Sequence, residues 1–177
     1  MKFFKRKKNV LDQNFDIAET IKEVSFFKEY LVDEEVISQI INLCKPKNFK
    51  KGSVIIKEGD QGDELFIILK GEIDIVKKTL QNEKYVVTSL NSTMGGIYVG
   101  ELALIDNDKR SATVEARTDC ECLVLNRENF IRFGDENPKI GLNITREIAK
   151  QLSQKLRKTG SDVITLFSAL VEEIIVE

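Results

Sequence analysis

Residues 100 to 114 read GELALIDNDKRSATV, and their types and spacing describe a receptacle for one anion beside a sugar. Gly100 has no Cβ, so backbone can come close to a ligand there. The apolar residues after it make about one turn of helix, whose first amides, near Glu101, Leu102 and Ala103, lack intrahelical acceptors. Such an N-terminus favours an anion. Arg110 returns after the loop with a planar fork that suits phosphate oxygens. Glu101 cannot serve the phosphate, because like charges repel, but it can accept from a sugar hydroxyl beside it. A phosphate held by amides and an arginine, with a ribose held by a carboxylate, is a nucleotide monophosphate. Taken singly, each residue has a plainer reading: a Gly-Glu turn, or an arginine at a strand end in a surface ion pair.

Together the residues fill a pattern: G-E-(L/I)-(A/G)-L, a short variable loop, then R-(S/T/A)-A-(T/S)-V. Gly100, Glu101, Leu102, Ala103 and Leu104 occupy the first part, and Arg110, Ser111, Ala112, Thr113 and Val114 the second. The stretch resembles the phosphate-binding cassette of cyclic nucleotide-binding domains. The resemblance implies cAMP or cGMP as ligand, with no metal. It implies that Glu101 takes the ribose 2′-OH and Arg110 the cyclic phosphate, within a site that also includes Gly100, Leu102, Ala103, Ser111 and Ala112. Ser111 leaves the base open, since a hydroxyl here can contact a guanine amino group yet also occurs in relatives that use cAMP. Lys109 stands where proline is frequent, Val99 where phenylalanine is frequent, and Asp106 and Asp108 make the loop acidic.

The elements that must position these residues follow from periodicity. From Asp16 to Cys44 apolar residues recur at helical spacing, Ile17, Ile21 and Val24 on one face and Val36, Ile37, Ile40, Ile41 and Leu43 on another. Asp33 is placed to cap the second helix. From Phe49 to Asn126 short apolar runs broken by glycine read as an antiparallel barrel or sandwich. Expected strands are 64–69, 72–78 and 84–90, with SATVEA and ECLVLN as the last two. Gly52, Gly59, Gly62 and Gly71 fall where the chain must reverse, and glycine permits positive φ there. Gly95 and Gly96 read as a flexible approach to the cassette. Beyond Arg127 the chain is helical again, with Pro138 opening a helix. Ala149, Leu152, Leu156, Thr159, Val163, Leu166 and Leu170 recur at steps of three and four, an a/d seam suited to a homodimer. Gly160 interrupts that seam, and a break there would give two helices packing back on the barrel.

The resemblance extends over about residues 20 to 155 and implies a mainly β fold with flanking helices. In it, a double-stranded β-helix (jelly-roll) barrel lies between an N-terminal helical bundle, with Phe26 and Phe27 packed under the barrel, and C-terminal helices. The expected divisions are a basic tail over 1–15, a binding domain over 16–159 (helices 16–44, barrel 47–126, lid helices 127–159) and a helical extension over 160–177.

Composition narrows the function. A chain of 177 residues is one domain with room for a helical appendage. A net charge of −2 gives no global pull toward nucleic acid. Three cysteines without a CxxC pair, and no histidine, argue against zinc and for a reducing cytoplasm. No apolar run approaches the roughly 18 residues of a membrane span, and MKFFKRKKN lacks the apolar core of a signal peptide. The apolar, acidic ending LFSALVEEIIVE does not supply a DNA-reading helix. No nucleophile–base pair is visible, so no enzyme is expected. The expectation is a stand-alone cytoplasmic cyclic nucleotide sensor that acts on an unknown protein partner or a second copy. The alternative is an interaction module with a vestigial pocket.

Overall fold

A computed structural model describes residues 10–30, 33–79 and 81–175. The basic stretch at 1–9 lies outside them. Helix α1 spans Val10–Glu23, so the helical region begins ahead of the expected boundary at Asp16. Leu11, Phe15 and Ala18 carry the helical spacing upstream, which explains the earlier start. A 3₁₀ turn follows at Ser25–Tyr30, then α2 at Glu34–Leu43. The Asp33 side chain caps α2, accepting from the Val36 amide at 3.1 Å. The first strand starts at once, ahead of the expected position 47, because Cys44 both caps α2 and opens β1 (Cys44–Phe49).

The remaining strands are β2 (Val54–Ile56), β3 (Glu64–Lys70), β4 (Glu72–Lys78), β5 (Lys84–Asn91), β6 (Tyr98–Val99), β7 (Thr113–Ala116) and β8 (Cys120–Asn126). They form two antiparallel sheets, ordered β1-β8-β3-β6 and β2-β7-β4-β5. Pairing is nested: β1 with β8, β2 with β7, β3 with β6, and β4 with β5. This is the jelly-roll order. Consequently β3 and β4 do not form a hairpin, although only Gly71 separates them. Gly71 has φ +110°, and a Cβ there would press on the Asp119 carbonyl, so glycine lets the chain cross between sheets.

The two sheets differ in what covers them, and the sequence carries the difference. In β3 (ELFIILK), Phe66 and Ile68 face the interior between the sheets, where Ile56, Ile73 and Val114 meet them. Leu65 and Ile67, on the opposite face, pack against the helices together with Leu123 and Leu125 of β8. A strand buried on both sides must be continuously apolar. On that second face lie Ile21, Phe26, Phe27, Ile37 and Ile40, all at most 2% exposed. Phe26 meets Phe27 edge-to-face at 4.5 Å and Tyr98 at 4.8 Å. The other sheet has one solvated face, and its edge strand β5 is exposed from Lys84 to Ser89.

After the barrel, α4 (Arg127–Glu136) is capped by Asn126, whose side chain accepts from the Glu128 amide at 2.8 Å. The final helix, α5, runs unbroken over Pro138–Ile175. It crosses both Gly160 and the expected boundary between lid and extension. A single glycine costs a helix about 1 kcal/mol, too little to break one that runs for 38 residues. Gly134 and Gly141 let α4 and α5 cross closely, since a Cβ on Gly141 would sit 2.6 Å from the Gly134 Cα. Ile144 and Ile148 then anchor α5 in the core. No helix among the described residues is long and apolar enough to cross a membrane.

Gly95 and Gly96 are not a flexible approach. Both have positive φ, 73° and 57°, and both press on the end of α1: a Cβ on Gly96 would run into the Glu23 carbonyl. Gly96→Ala is therefore expected to destabilise the fold by about 2 kcal/mol or more. Gly160→Ala, where a Cβ meets nothing within 4 Å, is expected to stabilise it by about 1 kcal/mol. Chemical denaturation reads both, and a Gly96→Ala protein as stable as wild type would contradict this packing.

Candidate functional site

A cavity of about 460 Å³ opens beside β2 and β7, under the start of the cassette and against α5. Its floor is apolar, built from Ile56, Val114, Ile75 and Leu90 of the one-sided sheet. One rim is the segment Val99 to Ala103; the opposite rim is the loop from Asp106 to Ala112. All seven residues singled out from the sequence, Gly100, Glu101, Leu102, Ala103, Arg110, Ser111 and Ala112, line this one space.

Arg110 is held from both sides of its backbone. Its amide donates to the Asp60 carbonyl and its carbonyl accepts from the Gly59 amide, each at 2.9 Å. Its side chain lies between two glycines. A Cβ on Gly62 would sit 2.5 Å from Nε, and one on Gly100 would sit 2.7 Å from Nη1. Gly62 does not have positive φ, so it is not the reversal glycine expected from the sequence; it is there for room. Gly100 does have positive φ, +85°, but the space its missing Cβ leaves is taken by the guanidinium and the Glu64 carbonyl. Nη1 donates to the Gly100 carbonyl at a long 3.4 Å. Burial lowers the pKa of Arg110, while the charges of Glu64 and Asp63 oppose that effect. Neither carboxylate is close enough to pair with it, and among the described residues no other one does. The guanidinium is thus half-buried, charged and short of acceptors. Such a group costs free energy unless an anion answers it.

The helix after Gly100, α3 (Leu102–Ile105), has only four residues. Its macrodipole is correspondingly small, so discrete amides carry any pull on an anion. The Ala103 amide, expected to be free, donates to the Gly100 carbonyl at 3.2 Å. That leaves Glu101 and Leu102, whose amides find no acceptor among the described residues. The Glu101 carboxylate makes no cap to α3 and instead meets the Lys155 ammonium of α5. Asp106 and Asp108 turn inward on their own loop: Asp106 accepts from the Asp108 amide and Asp108 from the Lys109 amide, at 3.4 and 2.7 Å. Among the described residues no group of three or more His, Cys, Asp or Glu side chains could hold a metal ion.

Sequence comparison gives this geometry its family. Residues 46–137 match the cyclic nucleotide-binding domain. The chain belongs to that family. It is 30% identical over 126 residues to the cAMP-dependent protein kinase regulatory subunit of Dictyostelium discoideum, covering 65% of this chain and 38% of that one. Against human cGMP-dependent protein kinase 2 it is 33% identical over 111 residues, 62% of this chain and 14% of that one. The chain therefore spans well under half of these relatives. The regulatory domain of Toxoplasma gondii PKA, solved with cAMP, superposes with a TM-score of 0.61 at 28% identity, over 71% of this chain and 46% of that one.

Two residues have roles here that the sequence conveyed poorly: Gly62 makes room for Arg110, and Lys155, which loose alignment put with Leu156 near the base, meets Glu101 instead. Gly62 carried the signal of a turn, and Lys155 lies 54 residues beyond the carboxylate it meets. Gly62→Ala is expected to leave the fold intact and swing the Arg110 guanidinium out of its slot. A crystal structure of the variant checks this, and an unmoved guanidinium would contradict it.

Proposed function

We propose that this cyclic nucleotide-binding domain is a sensor, in which a cyclic nucleotide enters the cavity described above and repositions α5. The single observation that carries the reading is the Arg110 guanidinium, half-buried, facing the cavity and without a carboxylate partner. A cyclic phosphate answers that charge, and the free Glu101 and Leu102 amides supply two further donors. The Glu101 side chain, only 16% exposed, serves a ribose hydroxyl. The apolar floor takes the faces of sugar and base. Both cAMP and cGMP suit these groups, and relatives named for each nucleotide are similar to this chain. The proposed action is binding: the lining residues supply donors, an acceptor and an apolar floor.

The output runs through α5. Lys155 lines the cavity, and Gln151, one turn earlier, accepts from the Tyr98 hydroxyl at the cassette entrance. Tyr98 also shares a hydrogen bond with Ser25 at 3.1 Å, so one side chain joins the N-terminal turn, the barrel and α5. A ligand that prefers one arrangement of these groups shifts the population toward it. Beyond Ser153 every residue of α5 is exposed as far as Leu170. Leu156, Val163, Leu166 and Leu170 make an apolar stripe there, each more than half exposed. A second copy of the chain, presenting the same stripe, is the partner that the a/d spacing fits.

Saturating cAMP or cGMP is expected to raise the thermal midpoint of the wild type. At 100 times Kd the gain is about 2.7 kcal/mol. Arg110→Ala is expected to lose that gain while melting, ligand-free, near the wild type. Equal stabilisation of both proteins would refute the assignment of Arg110, and silence of the wild type with both nucleotides would favour an interaction module with a vestigial pocket. For the stripe, sedimentation is expected to find a dimer that Leu166→Lys converts to monomer; a monomeric wild type at high concentration would contradict the second-copy reading.

A further inference from the structure

The bare end of α5 carries more apolar surface than the stripe already named. Ile164, Phe167 and Ile174 are also exposed there, each 66% or more. At 3.6 residues per turn the exposed set centres on Leu156, Val163, Phe167, Leu170 and Ile174, with Ile164 and Leu166 on its flanks. Gly160 falls on the same line. The central positions therefore step by four and three, as a helix–helix seam does, with Gly160 and Phe167 in place of the expected Thr159 and Leu166.

Two features of this end are not explained within one chain. The first is charge. Lys155, Arg157 and Lys158 come first with no acid among them, and Asp162, Glu172 and Glu173 follow with no base. Carboxylates near a helix C-terminus oppose its macrodipole, and α5 has no basic residue in its last turn. Among the described residues α5 forms ion pairs only through Lys150 and Lys155, so Asp162, Glu172 and Glu173 have none. The second feature is size. Gly160 and Val163 are small, Phe167 and Leu170 are large, and a Cβ on Gly160 would meet nothing within 4 Å.

A parallel second copy would set like against like. Gly160 on Gly160 leaves a hole, Phe167 on Phe167 crowds, and the basic and acidic stretches each meet their own sign. Reversing the copy removes all three conflicts. With a two-fold axis at Thr165, Leu156 faces Ile174 of the second copy, Gly160 faces its Leu170 and Val163 faces its Phe167. The two inner layers then set small against large, and each basic stretch lies along the other chain's acidic end. We infer that α5 pairs antiparallel with α5 of a second copy about Thr165. The inference rests on the reading of this stripe as a surface for a second copy, and adds orientation and register to it. A two-fold interface requires self-complementarity of this kind. The two barrels then stand at opposite ends of a shared helical rod.

Disulfide trapping reads the orientation. Positions 160 and 170 are exposed, so Gly160→Cys and Leu170→Cys should both stay folded. Cys44, Cys120 and Cys122 are buried or half-buried, and the wild type serves as the blank. One variant carries a size tag, so that a non-reducing gel resolves the mixed dimer. Antiparallel pairing puts position 160 beside position 170 of the other chain and separates each from its own copy by about 15 Å along the helix, beyond the reach of a disulfide. The mixture is expected to give several-fold more cross-linked dimer than either variant alone. Self-cross-linking of each variant with no gain on mixing would mean a parallel pair and overturn the inference. A dimeric wild type whose variants cross-link in no combination would overturn it too. Sodium chloride screens the attraction between unlike ends, so it is expected to weaken the wild-type dimer; a dimer that tightens with salt would contradict the orientation. If the wild type sediments as a monomer at high concentration, the second-copy reading itself falls and this inference with it. If it is dimeric but traps in the wrong pairs, only the orientation falls.

Discussion

A half-buried guanidinium without a carboxylate is the constraint from which the rest of this structure follows. Desolvating a charge is expensive, and proteins ordinarily answer it with a paired acid. Here Asp63 and Glu64 lie near enough to be felt by Arg110 but not to pair with it: Asp63 is bonded to Asn126, and Glu64 leans toward Lys47. The slot between Gly62 and Gly100 keeps the side chain from swinging toward either. Backbone bonds to Gly59 and Asp60 hold its main chain against the loop after β2. The fold thus maintains an unmet demand for negative charge at one point on the cavity wall.

The unequal covering of the two sheets sets which side of the cavity adjoins the helices. The sheet that carries β3 and β8 is apolar on both faces, so the barrel interior and the helical layer share a wall one strand thick. The cassette leaves that sheet at β6, where Tyr98 points its ring at Phe26 and its hydroxyl at Ser25 and Gln151. The cavity floor belongs to the other sheet, whose far face is solvated. In the proposed reading, movement at the cassette would therefore pass to the helical side and not through the floor. Gly95 and Gly96, pressed against Glu23, add a second fixed contact between the cassette's lead-in and α1. In this account, α5 is the element left able to respond, anchored by Ile144 and Ile148 at one end and bare over most of the other.

Much of this was legible in the sequence because the decisive residues are contiguous. The cassette compresses a carboxylate, helix-start amides and an arginine into eleven positions, Gly100 to Arg110, so their types and order suffice to mark residues that line one cavity. Strands β3, β4 and β5, the Asp33 cap and the Pro138 helix start likewise depend on local patterns, and each falls where periodicity puts it. What local pattern could not convey is occupancy of space by distant chain. A glycine needed for positive φ and one needed for room look alike in sequence, so Gly62 read as a turn although Arg110 fills its missing Cβ. Gly95 and Gly96 read as slack because Glu23, whose carboxylate and carbonyl they press on, is seventy-odd positions upstream. Gly160 read as a break because helix propensity was weighed at one site, whereas the helix is summed over thirty-eight residues. The Ala103 amide read as free because a four-residue helix tightens its first turn with a bond from residue 103 back to residue 100.

The central claim is that Arg110 and the Glu101 and Leu102 amides together receive one phosphate. A crystal structure of the protein soaked or grown with cAMP or cGMP tests it most directly. The account requires the two exocyclic phosphate oxygens to lie within hydrogen-bond reach of the Arg110 guanidinium and of those two amides, with the sugar on the Glu101 side. A nucleotide bound with its phosphate toward solvent, or an Arg110 side chain turned out of the slot between Gly62 and Gly100, would contradict it.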